Sequence, residues 1–248
     1  MASNTPELVT TAWHDEGAIS LEWTHKLITE SLPAVFQVNY DFPPPIGIQG
    51  TGSFYEVNDQ NNCRHILFIT CNHVAHTSSI QDIIEHLTLT PLINKDNNDN
   101  SFKFQKEHLL SCWTTISNRL DATVVEISDS GEKYLIEKNI KTFLKISDAK
   151  PKEKVAILQC PMGKGKFANG IIDAVEDSIV RYQIPTAPGS SGAPLLNKKC
   201  EAIAIHRRAD TSKADKNKPL IKQPDIPRGA TAIRSVIDAF FIERTMFR

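Results

Sequence analysis

Ser191 stands in the segment Ala187-Pro-Gly-Ser-Ser-Gly-Ala-Pro194, where small residues crowd both of its sides. A Gly-Ser segment of this kind reads in two ways, as a tight turn between strands or as a turn that presents a nucleophile. The second needs small neighbours so that a carbonyl can approach the hydroxyl. It also needs backbone N–H groups turned toward the oxygen that becomes negative, and a glycine two residues before the serine frees the chain to do so. On that reading the N–H groups of Gly189 and Ser191 form the oxyanion hole.

A serine hydroxyl is a poor nucleophile until a base takes its proton, so a histidine must be brought to it. His73 directly follows the apolar run His65–Cys71 and precedes Val74-Ala75, which fixes its ring at the end of a strand. A satisfied, partly buried histidine is the other reading. His76 is the second candidate base, while His65 and His86 read as strand or surface residues.

The third part is a carboxylate that holds the imidazole in one tautomer and stabilises its protonated form. Asp121 opens the apolar run Ala122–Ile127, where an aspartate is costly to bury without a partner. It also reads as a strand-capping residue. Asp82, Asp96, Asp99 and Asp129 fit turns, and none of them is pressed against a strand in the way Asp121 is.

The elements that must position these groups are mostly strands. Ala34–Tyr40, Gly52–Val57, His65–Cys71, Leu120–Ile127, Lys154–Leu158 and Ile171–Tyr182 are short apolar or β-branched stretches. Gly, Pro, Asn and Asp separate them, notably in Phe42-Pro-Pro-Pro-Ile-Gly-Ile-Gln-Gly-Thr-Gly52 and Asn94-Lys-Asp-Asn-Asn-Asp-Asn100. The pattern predicts an all-β sandwich or barrel. Helical spacing predicts a short N-terminal helix within Glu16–Ser31, stopped at Pro33, a helix over Ser79–Leu87, and a C-terminal helix from Arg228, carrying Ile233, Val236, Ile237 and Phe240. The lysine-rich stretch Ala209–Gln223 reads as a long surface loop.

Composition narrows the function. With 28 Lys+Arg against 29 Asp+Glu the net charge is −1, so no global field favours nucleic acid or an anionic membrane. No apolar run reaches the roughly 18 residues of a membrane span, and Met1-Ala-Ser-Asn-Thr-Pro-Glu lacks a basic start and an apolar core. The five cysteines are odd in number and irregularly spaced, which argues for reduced thiols. A cytoplasmic location is expected.

These residues carry a family resemblance. Ile69-Thr-Cys-Asn-His-Val74 resembles the histidine segment of chymotrypsin-fold, trypsin-like serine peptidases. Leu120-Asp-Ala-Thr-Val-Val125 is similar to their aspartate segment and Gly189-Ser-Ser-Gly-Ala-Pro194 to their serine segment, in the family's order. Gly50-Thr-Gly-Ser-Phe54 stands where they have a Gly-rich strand start. Val155-Ala-Ile-Leu-Gln-Cys-Pro-Met-Gly163 with Gly170 and Tyr182 resembles the disulfide-free intracellular members and the glutamyl endopeptidases. The likeness covers about Val35 to Phe241.

The resemblance implies an all-β fold of two orthogonal six-stranded barrels with the site between them. The limits are about 33–135 for barrel one, 136–227 for barrel two and 228–246 for a C-terminal helix, behind an N-terminal segment, 1–32, that is helical or regulatory. It implies His73, Asp121 and Ser191 as catalytic residues of an endopeptidase, with no cofactor and no metal. The expected partner is a protein or peptide substrate, with a regulatory protein as a further candidate. The other function class is a pseudoprotease scaffold that binds proteins.

There are two departures, at Ser190 and at Ala193, which stands where glycine or serine is commoner. Ser190 replaces the aspartate that pairs with a newly cleaved N-terminus in digestive relatives, so that activation switch is not expected. Thr186 and His206 fall where glutamyl endopeptidases, and viral cysteine proteases that cut after glutamine, line the S1 pocket. Their donors suit a Glu or Gln side chain at P1, and Pro185 near the pocket base disfavours Lys or Arg. Against this, Arg207-Arg208 replaces the residues that usually follow the histidine, and His206 also reads as a satisfied strand histidine.

Overall fold

The computed structural model describes residues 20–41, 48–75, 77–92, 100–115, 120–209 and 228–246. The candidate base His76, most of the Pro-rich and Asn-rich loops, the lysine-rich stretch and the first 19 residues lie outside them.

The first half builds a six-stranded antiparallel sheet from β1 (Val35–Tyr40), β2 (Ile48–Asn58), β3 (Arg64–Thr70), β4 (Leu87–Pro91), β5 (Leu109–Thr114) and β6 (Thr123–Ile127). Its order is β4-β1-β2-β3-β6-β5. This is a barrel opened between β4 and β5. It curls around Phe36, Val38, Phe54, Phe68, Leu89 and Val125, all buried, with Phe36 and Phe54 edge to face at 5.2 Å. The continuous apolar run of β3 is explained by its place: it pairs with β2 on one side and β6 on the other, and Ile66 to Thr70 are buried. Ser79 caps the helix Ile80–His86, and Leu87 already belongs to β4. Asp129–Glu137, where no helix was expected, forms one capped by Ser128.

The second half closes fully. β7 (Lys154–Gln159), β8 (Lys166–Glu176), β9 (Ile179–Tyr182), β10 (Pro194–Leu196), β11 (Ala202–Ala209) and β12 (Arg228–Ala232) form a barrel in the order β10-β11-β12-β9-β8-β7. Two expectations change here. The run Ile171–Tyr182 is two strands, parted by a turn at Asp177 whose φ is 51°. Residues 228–232 are strand, and the C-terminal helix begins at Ile233 and runs to Met246. Barrel closure decides this, because β12 supplies the ladder partner that β9 and β11 both require.

Between the two sheets lies a shared core. Trp23, Leu27 and Leu32 of the N-terminal turns meet Tyr55 and Leu67 of the first sheet, Leu158 and Leu196 of the second, and Ile233, Val236 and Phe240 of the C-terminal helix. The N-terminal helix, Leu21–Lys26, is capped by Ser20 and continues through a π turn, Leu27–Ser31, into a 3-10 turn, Leu32–Ala34, that contains Pro33. Residues 20–32 are thus packed into the folded unit. At the far end of the C-terminal helix Arg244 donates to Glu126 at 2.6 Å, and Glu126, 1% exposed, also meets His65 and Ser111 at 2.9 Å. His65 therefore serves this clamp, and His86 sits 3.3 Å from Asp41.

Candidate active site

His73 is held by its neighbours. The chain leaves β3, makes one helical turn over Asn72–Ala75, and buries Val74 and Ala75 in the first core, which leaves the His73 ring at the surface. Its Nδ1 lies 2.9 Å from Asp121 Oδ2, and its backbone N–H donates to Asp121 Oδ1 at 3.2 Å. A carboxylate only accepts, so Nδ1 carries the hydrogen and the neutral ring offers Nε2 as a proton acceptor.

Asp121 reaches this position through a left-handed backbone, φ 48°, just before β6. Its carbonyl accepts from Asn72 N–H at 3.2 Å, tying the aspartate turn to the histidine turn. Burial alone would push its pKa up. The hydrogen bond and charge of His73, the His73 N–H and the Arg207 guanidinium outweigh burial and hold the carboxyl below the ordinary aspartate range.

Ser191 lies on the loop before β10, and barrel one seats that loop. Thr51 of β2 donates its hydroxyl to Gly189 O at 2.8 Å, accepts from Cys160 N–H at 3.1 Å, and gives its own N–H to Ser191 O at 2.7 Å. Gly189 and Gly192 take φ of 94° and 88°, a region that favours glycine. A Cβ on Gly192 would lie 1.9 Å from Thr51 O. Ser190 N–H and Gly192 N–H are used, by Ala187 O at 3.0 Å and His206 O at 2.8 Å. Among the described residues no backbone carbonyl takes the N–H of Gly189 or Ser191. The Ser191 hydroxyl donates to Arg207 O at 3.2 Å.

Cys71, His73 and Asp121 also bring one potential ligand atom each within 4.8 Å of one another. The Cys71 thiol donates to His206 O at 3.0 Å, and burial, with the Asp121 charge adding, pushes its pKa well up. It is therefore a thiol near neutral pH.

Thr186 and His206 each lie beside the serine loop, recessed from solvent at 2% and 3% exposure. Arg228, from β12, donates through Nε to Thr186 Oγ1 at 3.0 Å, and Tyr182 OH lies 2.5 Å from His206 Nδ1. Burial first, then the charges of Arg228 and His73, lowers the His206 pKa to about 3, so its ring is neutral. Sequence reading missed Thr51 as the tie to the serine loop and Arg228 in this cluster. The first had a signal in Gly50-Thr-Gly, since a polar residue between strand glycines is free to approach another backbone. The second had none, because the spacing around it suggested a helix.

The two packed β units and the histidine, aspartate and serine turns at their junction define a chymotrypsin-like fold. Residues 50–205 match the trypsin-like peptidase domain, and the chain belongs to that family, the serine endopeptidases of this fold. Solved structures agree in fold. The inactive form of the Rv3671c protease of M. tuberculosis H37Rv, a mutant, aligns with TM-score 0.51 and 12% identity over 86% of this chain and 90% of that one. The HtrA-type protease AlgW with a tripeptide aligns with TM-score 0.58 and 13% identity, over 87% of this chain and 61% of that one. The chain thus spans less than two thirds of the length of AlgW.

Proposed function

We propose that the protein hydrolyses peptide bonds through an acyl-enzyme, with His73 as general base, Asp121 as its orienting carboxylate and Ser191 as nucleophile. The observation that carries this reading is the 2.9 Å bond from His73 Nδ1 to Asp121 Oδ2, which leaves Nε2 free to take a proton. As the serine oxygen attacks, Nε2 takes its hydrogen and the carbonyl oxygen becomes negative against the N–H groups of Gly189 and Ser191. The protonated ring then hands the hydrogen to the leaving amine. Water, deprotonated by the same ring, releases the acid and restores Ser191.

At P1 the reading is Glu or Gln. With Tyr182 O–H donating to Nδ1, neutral His206 presents an Nε2–H donor, and the Thr186 hydroxyl adds a second. The Arg228 guanidinium, bonded to Thr186, supplies positive charge that favours the carboxylate of the two. All five cysteines are free thiols, which supports a cytoplasmic setting; a role in an intracellular signalling or defence pathway belongs to the same reading.

One observation favours the pseudoprotease reading: the Ser191 hydroxyl is turned to Arg207 O rather than to His73. A fluorophosphonate probe separates the two. Catalysis predicts labelling of wild-type protein that Ser191→Ala abolishes and a distant serine variant keeps; a binding module predicts no labelling and function intact in Ser191→Ala. Cleavage of a peptide library tests the pocket, and cutting mainly after Lys or Arg would refute the Glu or Gln preference while leaving the triad in place.

A further inference from the structure

Arg207 touches both sides of the proposed triad. Its Nε lies 3.5 Å from Asp121 Oδ2, the same oxygen that bonds His73 Nδ1, and its carbonyl accepts the Ser191 hydroxyl at 3.2 Å. The backbone is built for this. In the pairing of β11 with β12, His206 faces Ala230 and Arg208 faces Gly229, so Arg207 is the extra residue of a bulge. Bulges beside active sites re-aim a side chain out of the ordinary alternation. Here the guanidinium is turned inward, 12% exposed, while the next residue, Arg208, points to solvent.

We infer that Arg207 is a positioning residue of this site, which shares the Asp121 carboxylate with His73 and so sets the pH at which the pair becomes competent. The inference rests on the triad reading. A guanidinium 3.5 Å from the oxygen that receives Nδ1–H favours the charged carboxylate, and it opposes a second positive charge on the ring that shares that oxygen. Among the described residues, Cys71, at the end of β3, and His206, in β11, also face the pair. Both are buried and uncharged near neutrality, which leaves Arg207 as the cation acting on the pair among the described residues.

The test is the rate of fluorophosphonate labelling across pH, which needs no knowledge of the substrate. Expected for Arg207→Gln is an acid limb displaced upward by about half to one pH unit, and for Arg207→Lys a limb close to that of wild type. A purely structural role would lower the melting temperature or scale the rate without moving the limb. Should Arg207→Gln fail to fold, Arg207→Met, which keeps the aliphatic stem, takes its place. A limb that stays put, or moves to lower pH, in a folded variant overturns the inference and spares the triad. Wild-type protein that does not label overturns both.

Discussion

Thr51 Oγ1 lies 2.8 Å from Gly189 O, a hydrogen bond between residues 138 positions apart that joins one barrel to the serine loop of the other. The same hydroxyl accepts from Cys160 N–H, and Thr51 is fully buried. Orienting the peptide after Gly189 in this way helps set the direction of the N–H groups proposed for the oxyanion hole. Thr51→Val keeps the shape and removes the hydroxyl. It should cost about 1–3 kcal/mol of stability, because Cys160 N–H and Gly189 O lose their partner. Labelling of Ser191 should slow by about ten- to a hundredfold, the scale of a small misplacement of reacting groups. Thr51→Ser should recover most of both, as denaturation and labelling kinetics would show.

Gly192→Ala should be worse than its size suggests. The residue has φ 88°, and the added methyl would stand 1.9 Å from Thr51 O and 2.6 Å from Thr70 Oγ1. Neither backbone nor buried neighbour can give way by that much. The expected outcome is loss of soluble folded protein, or folded protein that does not label, read by circular dichroism and probe gels.

Asp121→Asn leaves the volume unchanged and removes the acceptor that fixes the His73 tautomer. Labelling should fall by about four orders of magnitude, the scale this change has in a Ser-His-Asp site. Near-wild-type labelling would remove Asp121 from the triad.

Arg244→Ala should destabilise the fold without touching the site. It strips the 2.6 Å partner from Glu126, a carboxylate only 1% exposed, while Arg244 itself is 22% exposed. A loss of about 2–3 kcal/mol is expected, below the range for fully buried pairs because of that exposure. Adding Glu126→Gln should restore part of it, so a double-mutant cycle in urea measures the coupling.

His206 ties stability to pH. Its folded pKa, about 3, lies below the unfolded value of 6.5, so between those values the unfolded chain binds a proton that the native ring refuses. Its contribution is therefore complete above about pH 6.5 and is lost as pH falls toward about 3. Melting temperatures of wild type and His206→Gln should converge over that window as acid is added. Parallel curves would show that the ring takes up its proton in the folded state.

Much of the candidate site was proposed from the sequence because strand ends are written in short-range chemistry. His73 and Asp121 each sit at the edge of an apolar run, and the glycines around Ser191 announce an unusual turn. The all-β class followed from punctuation by Gly, Pro and Asn. The C-terminal boundary was misplaced by five residues, since strand 228–232 is required by its neighbours in the barrel rather than by its own sequence. The helix at Asp129–Glu137 was likewise hidden, because only Leu135 and Gly131 on one face are buried.

Residue types along the chain were enough to propose a nucleophile, a base and a carboxylate, since each role needs a particular functional group and a local backbone that exposes it. They could not say that Thr51 seats the serine loop, that a bulge aims Arg207 at Asp121, or that Arg228 meets Thr186. Those contacts join residues 42 to 138 positions apart, or depend on how one strand registers against the next. Such distances close only when a barrel closes on itself or two barrels pack, so the partners of a side chain are settled by tertiary structure even where its chemistry is not.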